Sequence, residues 1–512
     1  MAGAVALPST DSPASWVKVV DHSRCIGCHA CSTACKSENQ VPLGVQRTYV
    51  KYVDVGVFPL ARRAFQVTRC NQCDRPPCAA ICPTAAMHRR PDGIVDFDKA
   101  ACIGCKACMA ACPYDAIFIN PEDHAAEKCN FCAHRLALGL EPACVVVCPT
   151  EALLVGDVND RASRVARLLG REPLAVRRPE KDTRPKVFYR GAHQATLDPL
   201  AARRPDGGIF LWSEQGRGPG EVGAGVKPGA ATMTDAVLAY DVSHRAPWDW
   251  RVSLYTWTKS MAAGAYLVAA LLVAFGALAS SGALWQWVGP LLSLAFLGAT
   301  GLVLILDLER PARFYLLFTR PQWTSWLARG TVILSAFGAV LGAHLLAAIA
   351  GNATVARAAA WPGVPLAAMT AGYTAYLFAQ ARARDFWQNP LLPVHLLAQA
   401  VLAGAAVLLI AALRFDADAV PLLARTTAWA CIAHLALVAC DLTVPHPTAH
   451  AKLAAHEMTR GRFAAPFWIG VGLVVVGALA ASLGPAGALA ALLGLLAHEH
   501  AVVQAGQSAQ LA

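Results

Sequence analysis

The sequence predicts an α+β domain organised by cysteines, followed by an all-α integral membrane bundle of about eight helices. Three observations predict it. Sixteen of the eighteen cysteines fall in four sets of four between Cys25 and Cys148. Short apolar runs of strand character lie between those sets. From about residue 261 onward, apolar stretches follow one another, each near the roughly 20 residues that a bilayer crossing needs. At 512 residues, 56% hydrophobic and 15% charged, the chain is long enough for two or three domains and too apolar to be wholly soluble.

The four sets are Cys25-Cys28-Cys31-Cys35, Cys70-Cys73-Cys78-Cys82, Cys102-Cys105-Cys108-Cys112 and Cys129-Cys132-Cys144-Cys148. The first and third follow C-x2-C-x2-C-x3-C, the spacing of bacterial two-cluster ferredoxins. Pro83, Pro113 and Pro149 each follow the last cysteine of a set. Such spacing converges thiolates on a metal centre and excludes a disulfide framework, which belongs to short secreted chains. Sixteen thiolates suit four [4Fe–4S] clusters. The runs Ile94-Val95-Asp96-Phe97 and Ala116-Ile117-Phe118-Ile119 read as strands, punctuated by turns such as Asp92-Gly93. Sets one and three, and sets two and four, read as duplicated units. Residues 1–160 are therefore expected to form a ferredoxin-like double 2×[4Fe–4S] domain.

Residues 161–250 are polar and rich in Arg, Gly and Pro, as in Arg177-Arg178-Pro179-Glu180 and Gly216 to Gly229. They read as a linker or an arm laid on a partner. The net charge of +10 is spread rather than gathered in a stripe, which excludes nucleic acid as the partner. The first residues lack a basic region, an apolar core and a twin arginine, so no export signal is expected.

Residues 251–512 read as a polytopic membrane anchor, with spans near 261–281, 288–306, 326–350, 360–380, 391–413, 419–440, 465–483 and 488–505. The last is weakest, because His498, Glu499 and His500 interrupt it. Twelve basic residues, from Arg245 to Arg462, occupy the loops on the side of the cysteine domain, against Arg357, Arg414 and Arg425 on the other. That bias places the cysteine domain on the cytoplasmic side of a bacterial inner membrane. Ionisable groups in spans are expensive and mark candidate sites. Asp307 closes the second span, Arg329 opens the third, His395 and Gln399 share a face of the fifth, and His434 and Asp441 share a face of the sixth. Histidine, aspartate and arginine near an interface supply the hydrogen bonds and proton exchange that a quinone headgroup needs. Asp307, Arg329, His395 and His434 are therefore the candidate quinone site. His344 reads as a satisfied bundle histidine, His446, His450 and His456 as interfacial contacts, Cys431 and Cys440 as packing residues, and His498-Glu499-His500 as too short for a metal site.

The cysteine pattern, with Asp92-Gly93-Ile94-Val95, Cys112-Pro113-Tyr114 and Gly156-Asp157-Val158-Asn159-Asp160, resembles the four-cluster subunit of the dimethyl sulfoxide reductase (molybdopterin oxidoreductase) family. Asp307-Leu308-Glu309-Arg310-Pro311-Ala312-Arg313-Phe314 and Trp323-Thr324-Ser325-Trp326 resemble the polysulfide reductase and formate-dependent nitrite reductase membrane subunits, fused here to the first half. Glu309 stands where most relatives carry glycine or lysine. The resemblance implies crossed ligation: Cys25, Cys28, Cys31 and Cys148 for one cluster; Cys129, Cys132, Cys144 and Cys35 for the second; Cys70, Cys73, Cys78 and Cys112 for the third; Cys102, Cys105, Cys108 and Cys82 for the fourth. It implies a molybdopterin catalytic partner, electron exchange with membrane quinone, and no haem. No nucleotide fingerprint, phosphate loop or nucleophile elbow appears, so substrate chemistry is expected on the partner. Two other readings follow from the same residues: a haem b anchor using His344, His395 and His434, and an ion-translocating module, which the placement of Asp307 and Asp441 near helix ends disfavours. Sulfite, polysulfide, thiosulfate, dimethyl sulfoxide, arsenite and formate all remain open as the substrate of the complex.

Overall fold

The structure is a computed structural model and describes residues 14–203 and 236–511. The residues expected to lack an export signal and the Gly216 to Gly229 stretch lie outside them. The chain forms two compact units, Met1–Arg245 with Gln510–Ala512, and Ala246–Ala509.

Among the described residues, the first unit holds two three-stranded sheets and two hairpins. β1 (Trp16–Asp21) lies between β8 (Leu153–Asp157), antiparallel, and β9 (Val187–Arg190), parallel. Alternation along β1 divides its work. Val17 and Val19 pack with Val165, while Val20 joins the core that holds most of the cysteines. β2 (Thr48–Val55) pairs antiparallel with β3 (Arg62–Arg69) and with β10 (Val237–Tyr240). β4 (Met87–Arg89) pairs with β5 (Val95–Phe97), and β6 (Ile117–Ile119) with β7 (Ala126–Lys128). β5 and β6 are the two runs read as strands from sequence.

The segment from 161, expected as a linker or an arm laid on a partner, is folded into the first unit in its described part. The helix Arg164–Arg171 starts at Ser163, whose hydroxyl accepts from the Ala166 amide at 3.1 Å. β9 and β10 are full sheet members. The reason is local: Val165, Leu169 and Phe188 give a short apolar period between arginines, and they pack on the outer face of β1.

Seven helices of the second unit are long and apolar enough to cross a membrane: Trp250–Ala274, Leu284–Leu306, Trp326–Ile349, Leu392–Phe415, Ala417–Thr443, Ala464–Leu483 and Pro485–Gly506. An eighth, Ala360–Gln380, stands where the fourth span was expected and is more polar, with Thr370, Tyr373, Thr374 and Gln380. The first span begins earlier than expected, at Trp250, because Asp249 caps it by accepting from the Arg251 amide at 2.8 Å. Its polar residues Ser253, Thr256, Thr258, Lys259 and Ser260 are all buried against other helices rather than facing lipid. The weakest expected span proves continuous from Pro485 to Gly506.

Small residues let these helices meet at backbone distance. A Cβ on Gly264 would overlap the Ala400 carbonyl, and one on Gly404 would overlap Gly264. A Cβ on Gly470 would come to 2.8 Å from both the Gly494 carbonyl and the His498 amide. The first contact seats the helix bearing His395, and the second seats the one bearing His498.

Candidate functional site

All four C-x-x-C loops share one backbone device. The residue before the second cysteine is left-handed in each: Gly27 (φ 72°), Gln72 (48°), Gly104 (72°) and Phe131 (58°). Glycine meets that demand in sets one and three, a non-glycine residue in sets two and four, matching the duplication read from spacing. Such turns direct successive amides at an anionic ligand. The third cysteine of each set then enters a short helix: Cys31 in Ala30–Glu38, Cys78 in Pro77–Ile81, Cys108 in Ala107–Ala111 and Cys144 in Ala143–Val146.

The structure brings distant cysteines together. Cys25, Cys28, Cys31 and Cys148 line one cavity. Cys82, Cys102, Cys105 and Cys108 line another. Cys35 lies in the electrostatic field of Cys129, Cys144 and Cys132, and Cys78 in that of Cys112, Cys70 and Cys73. Buried thiols in such groups are hard to ionise alone: burial pushes Cys31 up to about 11 and Cys35 to about 12. Positive iron is the counter-charge that such a donor set requires, so the residues fit iron–sulfur ligation. Backbone amides already point at sulfur: Gln72 to Cys70 (3.4 Å), Met87 to Cys82 (3.4 Å), Ala126 to Cys102 (3.4 Å) and Ala152 to Cys148 (3.2 Å). Cys144 differs. Burial acts upward on it too, but Lys18, at 3.6 Å, and Arg69, at 3.4 Å, outweigh burial and hold the thiol at about 7.

The second unit contains a cavity among the helices that carry His395, His434 and His498. It is lined by Asn389, His395, Gln399, Asp441, His446, His498 and Glu499, with Leu392, Leu396, Val438 and Phe467 among its apolar walls. His395 lies at the centre of the hydrogen-bond pattern. Its Nδ1 is 3.0 Å from Asp441 Oδ2, and its Nε2 is 3.1 Å from His434 Nδ1. Asn389 donates to the other Asp441 oxygen at 2.7 Å. The clear space is about 50 Å³, so a ring enters only as lining side chains turn aside.

Of the expected quinone residues, the structure brings His395 and His434 together. It does not bring Asp307 and Arg329 to this cavity. Arg329 is exposed, lies over the Trp326 ring and donates to the Trp323 carbonyl at 2.6 Å. Position near a helix end put all four at one level, but Asp307 and Arg329 belong to helices that do not line this cavity. His344 makes its ring contacts with Tyr266 and Trp285, apart from the histidine cluster, so the three histidines of the haem reading do not converge. His446 was expected as an interfacial contact and instead lines the cavity, with its ring 5.8 Å from Phe386.

The sequence reading missed His498 and Glu499. Both are buried, and Glu499 accepts from Thr256. Lys259, also buried, donates to the Ala371 carbonyl and to Thr374 Oγ1, both at 2.8 Å, and feels the charge of Glu499. A lysine and a glutamate inside two spans were the available signal. Ionisable groups within the bundle are thus not confined to the helix ends.

Residues 62–158 match the family described as 4Fe-4S dicluster domain, and residues 240–509 match the family described as Polysulphide reductase, NrfD. The chain is 43% identical over 208 residues to a tetrathionate reductase subunit of Salmonella typhimurium, covering 39% of this chain and 80% of that protein. It is 43% identical over 171 residues to a polysulfide reductase component of Wolinella succinogenes, covering 33% and 90%. It is 45% identical over 160 residues to the thiosulfate reductase electron transfer subunit of Salmonella typhi, covering 31% and 82%.

Proposed function

This chain belongs to the polysulphide reductase, NrfD family and is a multi-pass membrane protein with an iron–sulfur domain; on that footing we propose that it is the electron-transfer and membrane-anchor subunit of a molybdopterin-type oxidoreductase complex, working between a catalytic partner and membrane quinone. The observation that carries the reading is the joining, in one chain, of sixteen gathered cysteines to a cavity with histidine and carboxylate groups inside a membrane bundle. The relatives named as subunits of tetrathionate, polysulfide and thiosulfate reductases support it.

Four [4Fe–4S] clusters are proposed, with the crossed ligation given above, and they supply one-electron transfer when bound. The two cavities lined by Cys25, Cys28, Cys31 and Cys148, and by Cys82, Cys102, Cys105 and Cys108, support that crossing. In the bundle, His395 and Asp441 form the proton-handling pair for the quinone. Asp441 orients the imidazole, and Asn389 orients Asp441. Gln399 is the further polar group available to a carbonyl oxygen of the headgroup. The excess of arginine and lysine in the loops on the cysteine domain's side supports a cytoplasmic position for that domain.

Affinity purification of the chain from its native membrane, followed by mass spectrometry and metal analysis, tests the assignment. The expected result is a co-purifying molybdopterin protein and roughly sixteen irons per chain beyond whatever iron the partner holds. A chain that purifies without such a partner, or with iron for only two clusters, overturns it.

A further inference from the structure

We propose that His395, His434 and His498 bind a divalent transition-metal ion of the zinc type within the membrane bundle. The three residues come from three different helices, and one ring nitrogen of each lies within 4.8 Å of the others. The tightest pair, His395 Nε2 and His434 Nδ1, is 3.1 Å apart. Two nitrogens bound to one tetrahedral zinc by bonds of about 2.0–2.1 Å stand roughly 3.4 Å apart. The pair is thus already spaced as the edge of a coordination shell, and turning the His498 ring closes the third corner.

The surroundings fit a ligand set. A metal-binding histidine characteristically gives its other ring N–H to a carboxylate, which fixes the tautomer and strengthens the ligand. His395 does this through Nδ1 to Asp441, and Asp441 is itself held by Asn389. With the proton on Nδ1, the lone pair of Nε2 points at His434, as ligation requires.

His498 provides the independent observation. It is 2% exposed, and neither of its ring nitrogens has a hydrogen-bond partner. Two unmet polar atoms in an apolar bundle are unfavourable unless something binds them. A metal ion answers one of them. Oε1 of Gln399 and Oε1 of Glu499 are also buried acceptors without a partner, and both residues line the same cavity. They would take the two hydrogens of a water in the fourth metal position. Three neutral imidazoles select zinc, cobalt or nickel over magnesium or calcium, which prefer oxygen ligands. The half-buried carboxylate of Asp441 and the buried one of Glu499 offset the charge of the ion.

Zinc on His395 Nε2 and proton exchange between His395 and a quinone exclude each other, so the proposal describes the quinone-free site, and its test does not read quinone. The full chain, purified with its clusters, is dialysed against zinc ions and then buffer. Zinc content and zinc K-edge X-ray absorption are measured, neither of which cluster iron obscures. The expected result is one zinc per chain in an imidazole-nitrogen shell at about 2.0–2.1 Å. His498→Gln should lose that zinc while the cluster electron paramagnetic resonance signals stay unchanged. Asp441→Asn should weaken zinc binding by about 10- to 100-fold. If His498→Gln does not assemble, His434→Gln reads the same site. A chain with no bound zinc, zinc in a sulfur shell, or zinc retained by the histidine variants overturns the proposal.

Discussion

Arg69 and Lys18 single out one cysteine among sixteen. Both are almost wholly buried, and both lie against Cys144. Burying two cations is costly unless anions meet them, and thiolates of an iron–sulfur site are such anions. The cysteines themselves were legible from spacing, because ligation fixes their separation along the chain. Their cationic neighbours were not, since Lys18 and Arg69 sit on strands whose pairing brings them in from far away in sequence. His244 shows the same limit. Burial alone would lower it, but Asp241, 3.2 Å away, and Asp115 together lift it from 6.5 to about 9. A raised histidine stabilises the fold fully below pH 6.5 and loses that contribution as pH rises through about 9. The difference is on the order of 3 kcal/mol. Thermal unfolding of the purified chain at pH 6.5 and pH 9 checks this: His244→Gln should lower stability at pH 6.5 and leave pH 9 nearly unchanged.

At the scale of elements, the long apolar helices could be read directly, and their rotation could not. Mean hydropathy identifies a span without saying which side faces protein. The first span was placed late because Thr256, Lys259 and Ser260 dilute its apolar signal, yet these residues face inward. His498 was passed over because it interrupts an apolar run, while packing makes it part of a cluster. Close glycine contacts set these rotations. A side chain at Gly264 would collide with the Ala400 backbone, which cannot move aside as a flexible side chain can. Gly264→Val should therefore destabilise the bundle by at least about 1–3 kcal/mol. Gly372→Ala, where a Cβ would meet nothing within 4 Å, is the open-site control and should not lower detergent-phase melting.

For the whole molecule, fusing an iron–sulfur unit to a membrane unit fixes their ratio at one to one. The expected division of the chain placed a linker or partner-binding arm between them, and the described part of that segment supplies two helices and two strands to the first unit. Composition suggested the linker because arginines and prolines outnumber the few apolar residues that dock it.

On the proposed function, the cavity in the bundle and the cysteines in the first unit serve one electron path. The most direct measurement is electron paramagnetic resonance of the purified, oxidised chain after addition of a reduced menaquinone analogue, compared with His395→Gln. We expect cluster signals to appear with the wild-type chain and to form at least about 100-fold more slowly in the variant, the order of effect expected from losing a general acid–base group. Clusters that dithionite reduces but quinol does not, or that quinol reduces equally fast in the variant, would rule out that path.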